Sequence, residues 1–179
     1  MNKTKLTTRD IAYIGMFAAI MAACAWISIP AAVPFTLQTL GVFTTLGLLG
    51  GKRGTLAVLI YILLGALGVP VFAGFSGGLG VLLGTTGGYI LGFLLSALAM
   101  WAMERFSQKT AWLALSMVLG QLLCYAAGTA WFLLVYTRTT GPVGLTAVLG
   151  WCVIPFILPD LVKIGLSLIL TTRLRRFLV

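Results

Sequence analysis

Asp160 and Lys163 are the two residues through which this chain could do chemistry. They stand three positions apart in Pro155-Phe156-Ile157-Leu158-Pro159-Asp160-Leu161-Val162-Lys163, between uncharged runs at 151–158 and 164–170. On a helix that spacing lets the two side chains pair. Each charge at the centre of a membrane-spanning helix costs ~2.5 to 3.5 kcal/mol on insertion, so a pair kept there needs a reason. Two reasons are available: an ion pair that locks helix packing, or a polar ligand site inside the membrane domain.

That the setting is a membrane follows from composition. The chain is 60% hydrophobic and 8% charged, with a mean hydropathy of +1.11, whereas soluble domains hold ~45 to 50% apolar residues. Its 179 residues make one polytopic membrane domain with no separate soluble module. The net charge of +9 does not indicate nucleic acid, because the basic residues flank apolar runs instead of forming a patch. Cys24, Cys124 and Cys152 lie scattered in apolar context without metal spacing and read as small buried hydrophobes. There is no histidine, which removes histidine-based metal sites, nucleophile dyads and proton relays. With only three acids, an enzyme is disfavoured.

Six spans position the pair. The first, 8–29, carries small residues in two helical rows, Gly15/Ala19/Ala23 and Ala18/Ala22. Such rows let helix backbones approach closely in lipid, either within the bundle or against a partner. Pro30 and Pro34 bracket a short uncharged connection. The second span, 35–50, is the shortest and begins near Gln38, which suits either a ligand contact or an interfacial position. Gly50-Gly51-Lys52-Arg53-Gly54 is a basic hairpin turn into the third span, 55–68. The later spans are 86–103, 111–135 and 150–172, with 137–149 a polar loop. Gln121 and Tyr125 fall one turn apart on the fifth and could line the same cavity as the charged pair. With six spans, ten of the twelve basic residues fall on one side: Lys3, Lys5, Arg9, Lys52, Arg53, Arg105, Lys109, Arg173, Arg175 and Arg176. Both termini are therefore expected in the cytoplasm.

Between spans three and four the chain is glycine-rich yet apolar from Gly68 to Tyr89. That composition is neither a hydrated loop nor a regular helix. Irregular backbone at membrane depth is tolerated only where protein or a water-filled cavity satisfies it, so a loop folded over an external-facing pocket is expected. The segment contains neither a Walker A sequence nor GxGxxG. Energy coupling through ATP would have to come from elsewhere.

Four stretches, in order, closely resemble the BioY family of biotin-specific S components of energy-coupling-factor (ECF) transporters. They are Val33-Pro34-Phe35-Thr36-Leu37-Gln38-Thr39-Leu40-Gly41, Gly68-Val69-Pro70-Val71-Phe72-Ala73-Gly74, Leu83-Gly84-Thr85-Thr86-Gly87-Gly88-Tyr89-Ile90-Leu91-Gly92-Phe93, and Pro159-Asp160-Leu161-Val162-Lys163. One departure is Thr85, where the family pattern has proline. The resemblance implies an all-α, six-helix membrane subunit in the bacterial cell membrane that captures biotin from outside, without cofactor or metal. It further implies docking through first-helix small residues (Ala18, Ala19, Ala22, Ala23) on a transmembrane coupling subunit, powered by two ATPase subunits. The implied ligand residues are Asp160, Lys163, Tyr89, Gly88, Thr86, Gln38, Gln121 and Phe72. The ligand's chemistry agrees: a ureido ring offers N–H donors to a carboxylate and a carbonyl to an ammonium. Lys163 could instead meet the valerate carboxylate, and Phe72, Phe75, Tyr89 and Trp151 are aromatic candidates for the apolar part. Rival expectations are an S component for another vitamin, or a stand-alone facilitator.

Overall fold

The computed structural model describes residues 6–107 and 109–178; Lys3 and Lys5 lie outside them. The first helix, α1 (Thr8–Trp26), starts on a capping box. Asp10 N–H donates to the Thr7 hydroxyl at 3.2 Å, and Thr7 N–H donates to the Asp10 carboxylate at 2.9 Å, so two of the helix's orphan donors are satisfied. A two-strand ladder follows, β1 (Ser28–Ile29) against β2 (Phe35–Thr36), antiparallel with Ser28 opposite Thr36. The connection holding Pro30 and Pro34 therefore turns back on itself, and the chain enters helix α2 (Gln38–Ala66) beside the end of α1.

α2 is folded double. Gly50 adopts φ 74° and ψ 177° within it, a left-handed backbone that glycine takes at little cost. Gln38 Nε2 donates to Tyr61 Oη at 2.6 Å, although 23 residues of continuous helix would separate them by ~34 Å. The two arms match the expected second and third spans. Two of the chain's three acids secure the turn: Glu104 accepts from Gly51 N–H at 2.6 Å, and Asp10 pairs with Arg53 at 2.9 Å.

The remaining helices are α3 (Leu79–Leu83), α4 (Gly87–Glu104), α5 (Thr110–Thr139), α6 (Leu145–Cys152) and α7 (Ile154–Leu178). Among the described residues, five segments are long and apolar enough to cross a membrane, the doubled α2 among them, so six arms form the bundle. α4 and α5 lie against each other where glycine removes side-chain bulk: a Cβ on Gly92 would meet Cys124 Cα at 3.0 Å. Ser96 bridges the same seam by donating to the Gly120 carbonyl at 2.6 Å.

Two expectations change. The segment 137–149 is not simply a loop, because α5 continues to Thr139 and α6 begins at Leu145; its apolar residues Val148 and Cys152 are buried against the bundle. In α1, Ala18 and Ala22 are buried while Ala19 and Ala23 are exposed. Ala18 and Ala22 thus pack inside the bundle, which leaves Gly15, Ala19 and Ala23 as the outer small-residue row. Lys52, Arg53 and Arg175 gather around recesses at one end with Asp10 and Glu104.

Candidate functional site

A cavity lies at the other end of the bundle, with about 730 Å³ of space between its walls when the open mouth is included. Its walls come from every part of the fold that the sequence made unusual. α2 supplies Gln38 and Thr39, the glycine-rich segment supplies Phe72, Ser76 and Thr86, α4 supplies Tyr89, α5 supplies Gln121 and Tyr125, and α7 supplies Asp160 and Lys163.

Asp160 organises the polar wall. It is 4% exposed, and Lys163 is 6% exposed, so both charges must be satisfied locally. One carboxylate oxygen accepts from Lys163 Nζ at 2.8 Å and Thr39 Oγ1 at 3.2 Å. The other accepts from Tyr125 Oη at 2.6 Å and Gln121 Nε2 at 2.9 Å. Four donors fill the roughly four lone-pair positions of a carboxylate, which explains why an isolated acid is tolerated there.

Two groups on this wall remain unspent. An ammonium has three donors, and among the described residues Lys163 gives one, to Asp160; its other flank lies over the Phe35 ring, 5.2 Å from the centroid. Gln121 Oε1 is buried without a hydrogen-bond partner among the described residues. The amide orientation follows from chemistry, since a carboxylate can only accept and Nε2 must face it. A leftover cationic donor and a leftover acceptor therefore sit together beside one carboxylate.

The apolar wall is lined by Phe72, Val81, Ile90, Phe93 and Phe156, with thiols Cys124 and Cys152 among them. Phe156 is stacked on Phe35 at 4.7 Å between centroids. Tyr89 shares its hydroxyl with Thr129 Oγ1 at 3.3 Å. Gln38 reaches Tyr61, whose hydroxyl in turn donates to the Val71 carbonyl at 3.0 Å, so the cavity's edge is tied to the glycine-rich segment. That segment takes left-handed φ at Gly68, Gly74 and Gly78 (97°, 64° and 96°), which lets it fold back over the cavity with a short helix, α3, at its far side.

Of the eight ligand residues expected from sequence, seven line this cavity: Gln38, Phe72, Thr86, Tyr89, Gln121, Asp160 and Lys163. Gly88 does not. A Cβ there would fall 2.2 Å from Trp131 Cβ, so Gly88 serves the close approach of α4 to α5. Phe75 and Trp151 are also absent from the lining; Phe75 stacks on Trp26 and Trp151 leans on Tyr136. Thr39, Phe156 and the two thiols were missed. Thr39 does lie one residue beyond Gln38 in the stretch Val33 to Gly41, but nothing in its type announced a reach of 121 positions to Asp160. Val33, Pro34 and Thr36 also line the cavity, so the proline-bracketed connection covers it together with the glycine-rich segment.

A bundle of apolar helices enclosing one end-facing cavity, apolar around a buried charged pair, defines a solute-binding integral membrane protein. Comparison with known proteins gives the family. The BioY family model matches residues 1–179, and the chain belongs to the BioY family. It is 40% identical over 173 residues to the biotin transporter BioY of Thermotoga maritima, covering 94% of this chain and 96% of that one. It is 37% identical to the probable biotin transporter BioY of Pyrococcus horikoshii, covering 95% and 98%. The crystal structure of the S-component for biotin from an ECF-type ABC transporter superposes with a TM-score of 0.83 at 25% identity, over 96% of this chain and 95% of that one.

Proposed function

We infer that this chain is the biotin-binding membrane subunit, the S component, of an ECF-type transporter, a multi-pass protein of the cell membrane and not itself an enzyme. Its relatives carry the name of biotin transporter, and the matched crystal structure is that of a biotin S-component. The observation that carries the ligand assignment is the pair of unspent groups on the polar wall. Lys163 has donors to give to the ureido carbonyl, and Gln121 Oε1 has an acceptor for a ureido N–H. Asp160 holds both in place, and a second ureido N–H reaches it by displacing Thr39, its most distant donor at 3.2 Å, while the Lys163 contact at 2.8 Å is kept. Phe72, Tyr89 and Phe156 supply the apolar surface for the bicycle, and Gln38 and Thr86 the rim.

Transport needs partners, because the chain has no nucleotide-binding motif. Our proposal is a transmembrane coupling subunit and two ATPase subunits. The exposed row Gly15, Ala19 and Ala23 of α1 is the docking face, with room beside Gly15, where a Cβ would meet nothing within 4 Å. The charged end lies in the cytoplasm, and the cavity faces outward.

The test is uptake of radiolabelled biotin by biotin-auxotrophic cells that express the chain with or without ATPase and coupling subunits. Uptake that needs those subunits, and is lost on Lys163→Met, supports the assignment. Undiminished uptake by the chain alone would point to a facilitator, and no uptake in either setting would remove biotin as the cargo.

A further inference from the structure

Besides the bond from Gly78 N–H to the Gly65 carbonyl of α2 at 2.6 Å, three aromatic side chains grip the backbone of the glycine-rich segment, and one of them is built to let go. Inside the bundle, Tyr61 donates to the Val71 carbonyl and is buried; at the far side, half-buried Trp131 donates to the Gly84 carbonyl at 2.9 Å. The third holder is Trp26, at the end of α1. Its Nε1 donates to the Pro70 carbonyl at 2.7 Å, and its ring stacks on Phe75 with centroids 5.0 Å apart. Unlike the other two, this grip is at the surface: Trp26 is 40% exposed and Phe75 63%.

Phe75 is also the one described non-glycine residue with positive φ, at 57°. Bulky residues avoid that conformation, so its surroundings must hold it there. The residues of this leg that face the cavity, Phe72, Ala73 and Ser76, lie between the Pro70 and Phe75 contacts or one position past them. A strained backbone, an exposed stack and a single hydrogen bond thus converge on one side chain that does not itself line the cavity.

We propose that Trp26 is a positioning residue that latches the glycine-rich segment over the cavity and sets the rate at which ligand enters and leaves. The proposal rests on the cavity being the biotin site, and it separates kinetics from affinity. Weakening the latch favours the open segment in both the empty and the occupied protein, so association and dissociation accelerate together. Damage to the site itself would instead raise dissociation alone and weaken equilibrium binding.

The experiment compares wild type, Trp26→Phe and Trp26→Ala as full-length detergent-purified protein. Association and dissociation of radiolabelled biotin are followed, with unlabelled biotin as the chase. Losing the N–H in Trp26→Phe is expected to speed both rates about threefold, and losing the stack as well in Trp26→Ala about tenfold, with Kd changed by less than about twofold. Unchanged rates in Trp26→Ala, or a weaker Kd carried by dissociation alone, overturn the latch. A second readout needs no biotin: in a Cys24→Ala, Cys124→Ala background, Cys152 in the cavity wall is labelled with a water-soluble maleimide. Faster labelling on Trp26→Ala supports the latch even if wild type proves not to bind biotin, whereas equal labelling overturns it.

Discussion

Neutralising Asp160 and Lys163 singly and together separates a structural ion pair from a ligand site. Asp160→Asn keeps an acceptor for Tyr125 and Gln121 but leaves the Lys163 ammonium, 6% exposed, without the carboxylate that lies 2.8 Å away. Removing one partner of a buried pair costs about 3 to 5 kcal/mol, chiefly through the charge left behind. Lys163→Met leaves the converse charge, softened because Thr39, Gln121 and Tyr125 still donate to it. The double variant leaves neither charge stranded, so its loss of stability should fall short of the summed single losses by about 2 kcal/mol, as expected for residues in direct contact. Binding should behave differently. Restored folding does not restore the ammonium donor, worth about 1.5 to 3 kcal/mol in a charge-assisted hydrogen bond, so biotin affinity stays at least about tenfold weaker in the double variant. The assay pairs thermal unfolding in detergent with equilibrium biotin binding on the same preparations. Additive destabilisation would refute the coupling, and wild-type affinity in the double variant would refute the ligand assignment.

Two further outcomes follow from packing. Gly128→Ala would set a methyl 2.2 Å from the Tyr89 ring, moving that ring from Thr129 and the cavity wall; a loss of about 1 to 3 kcal/mol in stability with weaker biotin binding is expected, and wild-type melting and affinity would contradict it. On α1, Ala19→Leu with Ala23→Leu should leave biotin binding intact while abolishing co-purification with partner subunits, whereas Ala18→Leu should lower the melting temperature through overpacking. Co-purification that survives the first pair would move the docking face elsewhere.

The charged pair, the Gln121 and Tyr125 face and the folded-back glycine segment were legible because each breaks the pattern of an apolar helix. The doubled α2 was legible too, since its turn joins glycines to Lys52 and Arg53. What stayed hidden lacks such contrast. Cys124, Cys152 and Phe156 look like any other apolar residue on helices that are apolar on several faces, and only the fold shows which ones reach the cavity. The two α1 rows are equally small, so only packing distinguishes buried Ala18 and Ala22 from exposed Ala19 and Ala23. Gly88 sits inside a ligand-like motif, yet its missing side chain makes room for Trp131. α6 was missed because Gly141 and Gly144 just before it, with its own Thr146, resemble a loop, while Val148 and Cys152 are what bury it.

The most direct measurement is equilibrium binding of radiolabelled biotin to the purified, partner-free chain, with unlabelled biotin, riboflavin and thiamine as competitors. Saturable binding at one site per chain, displaced by biotin and not by the other two vitamins, is the predicted result. Absence of saturable binding, or equal displacement by an unrelated vitamin, would contradict the assignment of the cavity around Asp160 and Lys163 to biotin.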